Sequence, residues 1–174
     1  MEDWIAQEQH RKYHEAAQLF PLLEGPEFDE LKVDIATHGL LEPIDLHPDG
    51  SILDGRNRHR ACIETKTKPR FETWRGNGSA VQFVVSKNLH RRHLSSSQRA
   101  AISLDALAML EEEAKKRQRA TPTNPEIIPE SERGEAREQA ASLFNTNPRY
   151  VQDAKKLQQK APDLLDEVRR GRKA

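Results

Sequence analysis

The stretch Ile52-Leu53-Asp54-Gly55-Arg56-Asn57-Arg58-His59-Arg60-Ala61 reads as the end of a strand, a glycine turn and the start of a helix. A helix start exposes backbone N–H groups at a positive dipole end, where an anion is favoured. Gly55 permits a tight turn and close approach of a ligand to the backbone. Three arginines alternate with Asn57 and His59 in the following turn, and guanidinium forks match phosphate oxygens two at a time. Cations crowded at a helix N-terminus oppose its dipole, so an anion is expected there to offset them. Asp54, Gly55, Arg56, Asn57, Arg58, His59 and Arg60 are therefore candidate phosphate contacts.

Upstream, Pro26 opens a helix with Glu27, Asp29 and Glu30 in its first turn, and Gly39 closes it. Phe28, Leu31, Val33, Ile35 and Leu40 are expected to supply its apolar face. Leu41–His47 alternates like a half-buried strand, Pro48-Asp49-Gly50 is a turn, and Ser51–Asp54 is a second short strand. Downstream, a helix from Asn57 to Thr65 faces Ala61, Cys62 and Ile63 inward. A strand at Pro69–Trp74 and an apolar helix at Ser79–Asn88 follow. Residues 1–19 read as a polar, loosely held helix or arm.

These elements predict an α+β chain: a small mixed-sheet domain over residues 20–94, then an all-α domain. Ser95-Ser96-Ser97-Gln98 starts a helix, with a serine cap and an amide three residues on. It continues as a connecting helix over 95–119. Residues 120–133, with Pro122, Pro125 and Pro129, read as a linker, and 134–174 as a separate helical domain.

Composition narrows the partners. The 174 residues are 35% hydrophobic and 32% charged, with formal net charge zero, which argues against coating nucleic acid by bulk attraction. The charge is nevertheless lopsided. Residues 1–53 hold 3 Lys/Arg against 12 Asp/Glu, residues 54–99 hold 11 against 3, and residues 134–174 hold 9 against 6. Two basic segments suggest two polyanion contacts. The single cysteine excludes an internal disulfide and a cysteine-built zinc site, and no metal is expected on the histidines. No signal core and no run near the roughly 18 apolar residues of a membrane span is present, so a cytoplasmic, soluble protein is expected.

Three blocks in order resemble the ParB family of partition proteins. Gly55-Arg56-Asn57-Arg58-His59-Arg60-Ala61 is similar to its G-E-R-R-x-R-A phosphate motif, with Arg58, Arg60 and Ala61 matching. Gly39-Leu40-Leu41-Glu42-Pro43-Ile44 resembles G-x-x-Q-P-I, with Glu42 for the glutamine. Lys87-Asn88-Leu89-His90-Arg91 resembles E-N-x-Q-R, with Asn88 and Arg91 matching. The resemblance implies the fold shared by ParB N-terminal domains and sulfiredoxin, and a pocket for CTP or another nucleoside triphosphate. It also implies phosphate contacts from Arg58 and Arg60, a place near a metal for Asn88, and a nucleotide- or phosphate-binding set that includes Gly39, Asn88, Arg91 and Arg92. Lys87 stands where the family keeps a magnesium-binding carboxylate, and a lysine offers Mg2+ no lone pair. Nucleotide binding is thus expected ahead of turnover. Sulfiredoxin's G-C-H-R motif would place Arg56 where a nucleophilic cysteine is needed, which excludes its chemistry. Asp54-Gly55 resembles the start of the D-G-H-T-R motif of free-serine kinases, with Arg56 and Asn57 in place of its histidine and threonine. That makes Asp54 a candidate base in an enzymatic alternative, alongside a nucleotide hydrolase or a nuclease.

Asn88–Arg99 continues as Leu89-His90-Arg91-Arg92-His93-Leu94-Ser95, a donor-rich loop similar to ParB-like proteins of plasmids, phages and integrated elements. In the tail, Ala140, Ala141, Leu143 and Phe144 precede the turn Asn145-Thr146-Asn147. Pro148 then opens a helix with Val151, Ala154 and Leu157 at helical spacing. Two short helices around a tight polar turn read as a helix-turn-helix. Its second helix would present Asn147, Arg149, Tyr150, Gln152, Lys155 and Lys156 to duplex DNA. Pro162–Arg170 reads as a third helix, and a separate dimerisation domain like that of full partition proteins is not expected. A DNA-binding partition or regulatory protein, with double-stranded DNA, a nucleotide and a second copy of the chain as partners, is the expectation. A tail that binds protein instead is the remaining alternative.

Overall fold

In the computed structural model, which describes residues 3–76, 78–89, 94–120 and 140–173, the chain divides into two units at Ala80/Val81. The first unit contains α1 (Asp3–Gln9), a 3-10 turn (Glu15–Gln18), α2 (Pro26–His38), β1 (Ile44–Leu46), β2 (Ile52–Asp54), α3 (Arg56–Glu64) and β3 (Phe71–Thr73). Its sheet has the order β2-β1-β3. β1 runs antiparallel to β2 and parallel to β3, so the sheet is mixed, and the architecture is α+β as expected.

The β1–β2 hairpin is set by its turn. Gly50 takes φ +86, and the Asp49 carboxylate accepts from Ser51 N at 2.8 Å and Ser51 Oγ at 2.6 Å. Those two bonds from Ser51 hold the Asp49 carboxyl well below the usual carboxylate range. After β2, Gly55 turns the chain at φ +103 and α3 begins at once. α3 carries Ala61 and Cys62, fully buried, against Phe28 and Ile35 of α2, with Leu23, Leu31 and Leu40 packed around them. Burying a Phe28-sized side chain contributes about 2 to 3 kcal/mol. Val33, expected on this apolar face, is 66% exposed, because positions 28, 31 and 35 follow the helical period and 33 does not.

The loose N-terminal arm expected at residues 1–19 is corrected. Segment 3–19 belongs to the first unit and is packed, with Ala16, Ala17 and Leu19 buried. Tyr13 bridges β2 at Ile52, with Ile52 N donating to Lys12 O and His14 N to Ile52 O, each at 2.9 Å. The segment thereby covers a sheet edge that would otherwise leave backbone groups unpaired.

The second unit holds α4 (Ala80–Leu89, its first residue in the first unit), α5 (Ser96–Ala120), helical residues 140–143, α6 (Pro148–Lys160) and α7 (Pro162–Arg169). α5 starts with the expected capping box: Ser95 Oγ accepts from Gln98 N at 3.2 Å, and Gln98 Oε1 from Ser95 N at 2.9 Å. α5 does more than connect. Ala101 and Leu104 form one core with Ala141, Val151, Leu165 and Val168, and Ala154 and Leu157 of α6 pack on it. The small α5 residues let α6 and α7 approach closely, and Arg169 clips α7 to Asp105 of α5 at 2.8 Å. Among the described residues no helix is long and apolar enough to cross a membrane. The linker read at 120–133 falls almost wholly outside the described residues.

Candidate functional site

The basic turn forms as the sequence predicts, but its side chains are met from within the protein. Arg56 Nη2 donates to the Phe20 carbonyl. Asn57 Oδ1 accepts from Leu23 N at 3.1 Å, and Arg60 Nη1 donates to Leu23 O at 3.3 Å while its guanidinium lies 4.2 Å from the Phe28 ring centre. Arg58 bonds two carboxylates, Asp54 at 2.8 Å and Glu42 at 3.0 Å. The dipole penalty of cations at a helix start is therefore offset by internal acceptors, where the sequence suggested an external anion. Segment 20–23 and Glu42 are the partners that local reading missed. They lie 16 to 37 residues away, and nothing in the turn itself signals them.

His59 is the clearest departure. Expected to reach a phosphate, it is 1% exposed and faces the other way. Its Nε2 lies 3.2 Å from Glu8 Oε2 and its Nδ1 3.1 Å from the Tyr13 hydroxyl. A carboxylate only accepts, so Nε2 carries the proton and Nδ1 accepts from Tyr13. Glu8, itself 6% exposed, also accepts two bonds from Arg11, whose guanidinium covers the Phe71 ring at 4.4 Å and donates to Gly50 O. Burial pulls the His59 pKa down against the opposing pull of Glu8, and Arg11 holds the Glu8 carboxyl low. The N-terminal segment is thus fastened to α3 by a buried polar hub.

Asp54 is not placed as a free base. It is 7% exposed, bonded to Arg58, and in register with Asp45 of β1, which is 9% exposed. Cys62 lies in the α2–α3 core, and burial pushes its thiol up to about 11, so it supplies no thiolate at neutral pH. Gly39 ends α2 at φ +74, its N–H donating to Ile35 O at 2.9 Å. Gly55 has no spare room: a Cβ would sit 3.1 Å from Arg58 Nη2 and 3.3 Å from Ile44 Cγ1. Gly55→Ala is expected to cost about 1 to 2 kcal/mol through its positive φ and the displaced guanidinium, read by urea denaturation. An open cleft of about 560 Å³ between the N-terminal segment and the hairpin turn is lined by Gln7, Arg11, Lys12, Asp49, Gly50 and Ser51. None of these was a sequence candidate.

In the second unit, Asn88 donates to Val84 O at 2.9 Å on its own helix, and Lys87 Nζ stands 5.5 Å from the Phe83 ring centre. Arg91 and Arg92 lie outside the described residues, as do His90 and His93. Among the described residues no three His, Cys, Asp or Glu side chains converge as metal ligands.

The turn before α6 is built as the tail sequence suggests. Phe144 is fully buried, Asn145 adopts φ +47, and Asn147 Oδ1 caps α6 by accepting from Arg149 N at 2.9 Å. The turn is tied to α5 by Arg99 donating to Asn145 O and Thr146 Oγ1 to Ser96 O, each at 3.4 Å. With Val151 buried, Arg149, Tyr150, Gln152, Lys155 and Lys156 are all exposed along one polar surface of α6. Asp153 shares it and bonds Lys156 at 3.2 Å.

No protein-family model and no curated protein matches this sequence. Among solved structures, one described as the C2221 form of a Pnob8-like ParB-N domain is similar over 93% of this chain and 70% of its own, with TM-score 0.61 and 13% identity. The likeness is one of fold.

Proposed function

We propose that this is a DNA-binding protein of ParB-like fold, with a partition or regulatory role, which reads duplex DNA through α6. The observation that carries the reading is the two-sided chemistry of α6. Val151, Ala154 and Leu157 pack inward, while Arg149, Tyr150, Gln152, Lys155 and Lys156 stand outward behind an Asn147 cap. Helical residues 140–143, the positive-φ turn at Asn145 and α6 make a helix-turn-helix, whose second helix would fit a major groove. Tyr150, 52% exposed, is a large ring without a core role, suited to a base edge or sugar. Lys155 and Lys156 would meet phosphates, and two copies related by a two-fold axis would present two such helices to a palindromic site.

Binding to duplex DNA is expected to weaken steeply with salt, and Arg149→Ala and Lys155→Ala each to lower affinity about threefold to tenfold. Fluorescence anisotropy over a salt series measures this. Affinity that is flat in salt and unchanged in both variants sinks the DNA reading.

The Gly55 turn is read as a phosphate contact in the same protein, suited to a nucleoside triphosphate. Its support is an α3 N-terminus with no side-chain cap and no acid in the first turn, flanked by half-buried arginines at 56, 58 and 60. Asn88, Arg91 and Arg92 remain assigned to nucleotide by resemblance alone. An enzymatic role gains nothing from Asp54 or Cys62, one bonded to Arg58 and the other buried as a thiol.

A further inference from the structure

Arg58 is held by two carboxylates of opposite character. Asp54, at the end of β2, has a side chain 9% exposed and grips Nη2 at 2.8 Å. Glu42 lies on the loop between α2 and β1, has a side chain 61% exposed, and grips Nη1 at 3.0 Å. The Arg58 side chain as a whole is 12% exposed, and of its two carboxylate partners Glu42 is the one that faces solvent. Asp54 cannot leave without a buried desolvation cost, whereas Glu42 can swing into water at little cost.

We infer that Glu42 is an internal stand-in for a phosphate oxygen at Arg58, displaced when an anion binds, and so sets the affinity threshold of the Gly55 turn. This rests on the phosphate reading of that turn. The physical logic is competition. Arg58 faces two full negative charges, so an incoming phosphate must both replace Glu42 at Nη1 and tolerate its charge nearby. A half-exposed pair of this kind is weak, so it lowers a ligand's affinity severalfold without blocking it. A polyphosphate, with more oxygens and more charge, competes better than a monoanion. Glu42 would then discriminate by charge, although it contacts no ligand in the bound state.

The test is calorimetric titration of the full chain with CTP and, separately, inorganic tripolyphosphate, comparing the native protein with Glu42→Gln and Glu30→Gln. The amide keeps the size of Glu42 and loses its charge, and an exposed position tolerates it. Glu30, an exposed carboxylate on α2 that is not among Arg58's partners, makes the same change in net charge. Glu42→Gln is expected to bind about threefold to fivefold tighter than native, with Glu30→Gln unchanged. Equal affinity of native and Glu42→Gln, or an equal gain in both variants, overturns the internal stand-in and leaves the phosphate site standing. No binding to either protein at millimolar ligand overturns the phosphate reading and this inference with it.

Discussion

Arg58→Ala is expected to destabilise the first unit by about 3 kcal/mol in urea denaturation at pH 7, more than a surface arginine change would. The reason is the carboxylate it leaves behind. Asp54 is 7% exposed and sits opposite Asp45, 9% exposed, in the β1–β2 ladder. Like charges facing each other across strands are unfavourable, and Arg58, 2.8 Å from Asp54, is a cation beside that pair. Removing one partner of a buried pair costs more than the pair contributes, because the survivor keeps its desolvation penalty. Removing both is milder, so Asp54→Asn with Arg58→Met should recover most of the loss. Arg58→Lys should recover little, since one ammonium does not span Asp54 and Glu42 as a fork does. A loss below about 1 kcal/mol for Arg58→Ala would show that Asp54 finds another partner or water.

The second large effect concerns the buried hub. Glu8→Ala is expected to cost about 2 to 4 kcal/mol, since it strips Arg11 of a two-bond partner and His59 of its acceptor. The same hub makes the first unit sensitive to acid. Burial lowers the His59 pKa below its ordinary 6.5, so just below that pH the unfolded chain binds a proton that the native state refuses. Stability therefore falls as pH drops through about 6.5 towards the lowered value. Glu8, held below its ordinary 4.5 chiefly by Arg11, adds stability above that pH that is lost as pH falls through its own lowered pKa. Both groups act in the same direction: stability is highest near neutrality and declines in two stages. Thermal melts between about pH 7.5 and 4 would show it, and His59→Gln should flatten the first stage while sparing the second. A profile flat from pH 7 to 5 in the native protein would mean the hub carries no such linkage.

The local elements were legible because their causes are local. Gly55 and Gly39 mark left-handed backbone, Pro26, Pro148 and Pro162 occupy the first positions of helices, and Ser95 with Gln98 spells a capping box. Val151, Ala154 and Leu157 share a face by period alone, and the structure buries that face. Cys62, placed on the inward face of the helix that follows Gly55, is buried there.

Partners were not legible. The turn from Asp54 to Arg60 reads the same whether its guanidiniums await an anion or already hold one. The choice depends on Phe20, Leu23 and Glu42, which the α2 crossing brings alongside. His59 shows the limit most sharply: its position in a run of arginines suggests a ligand contact, yet a helix turns it 100° per residue towards Glu8 and Tyr13. The polar arm at residues 1–19 looked loose because a buried Glu8 is indistinguishable by composition from a solvated one. What the sequence by itself determined here is backbone: strand, glycine turn, helix start and the two-sided α6. Tertiary structure decided which charges are neutralised, because electrostatic pairing depends on distance in space: Glu42 reaches Arg58 from 16 residues away and Glu8 reaches His59 from 51.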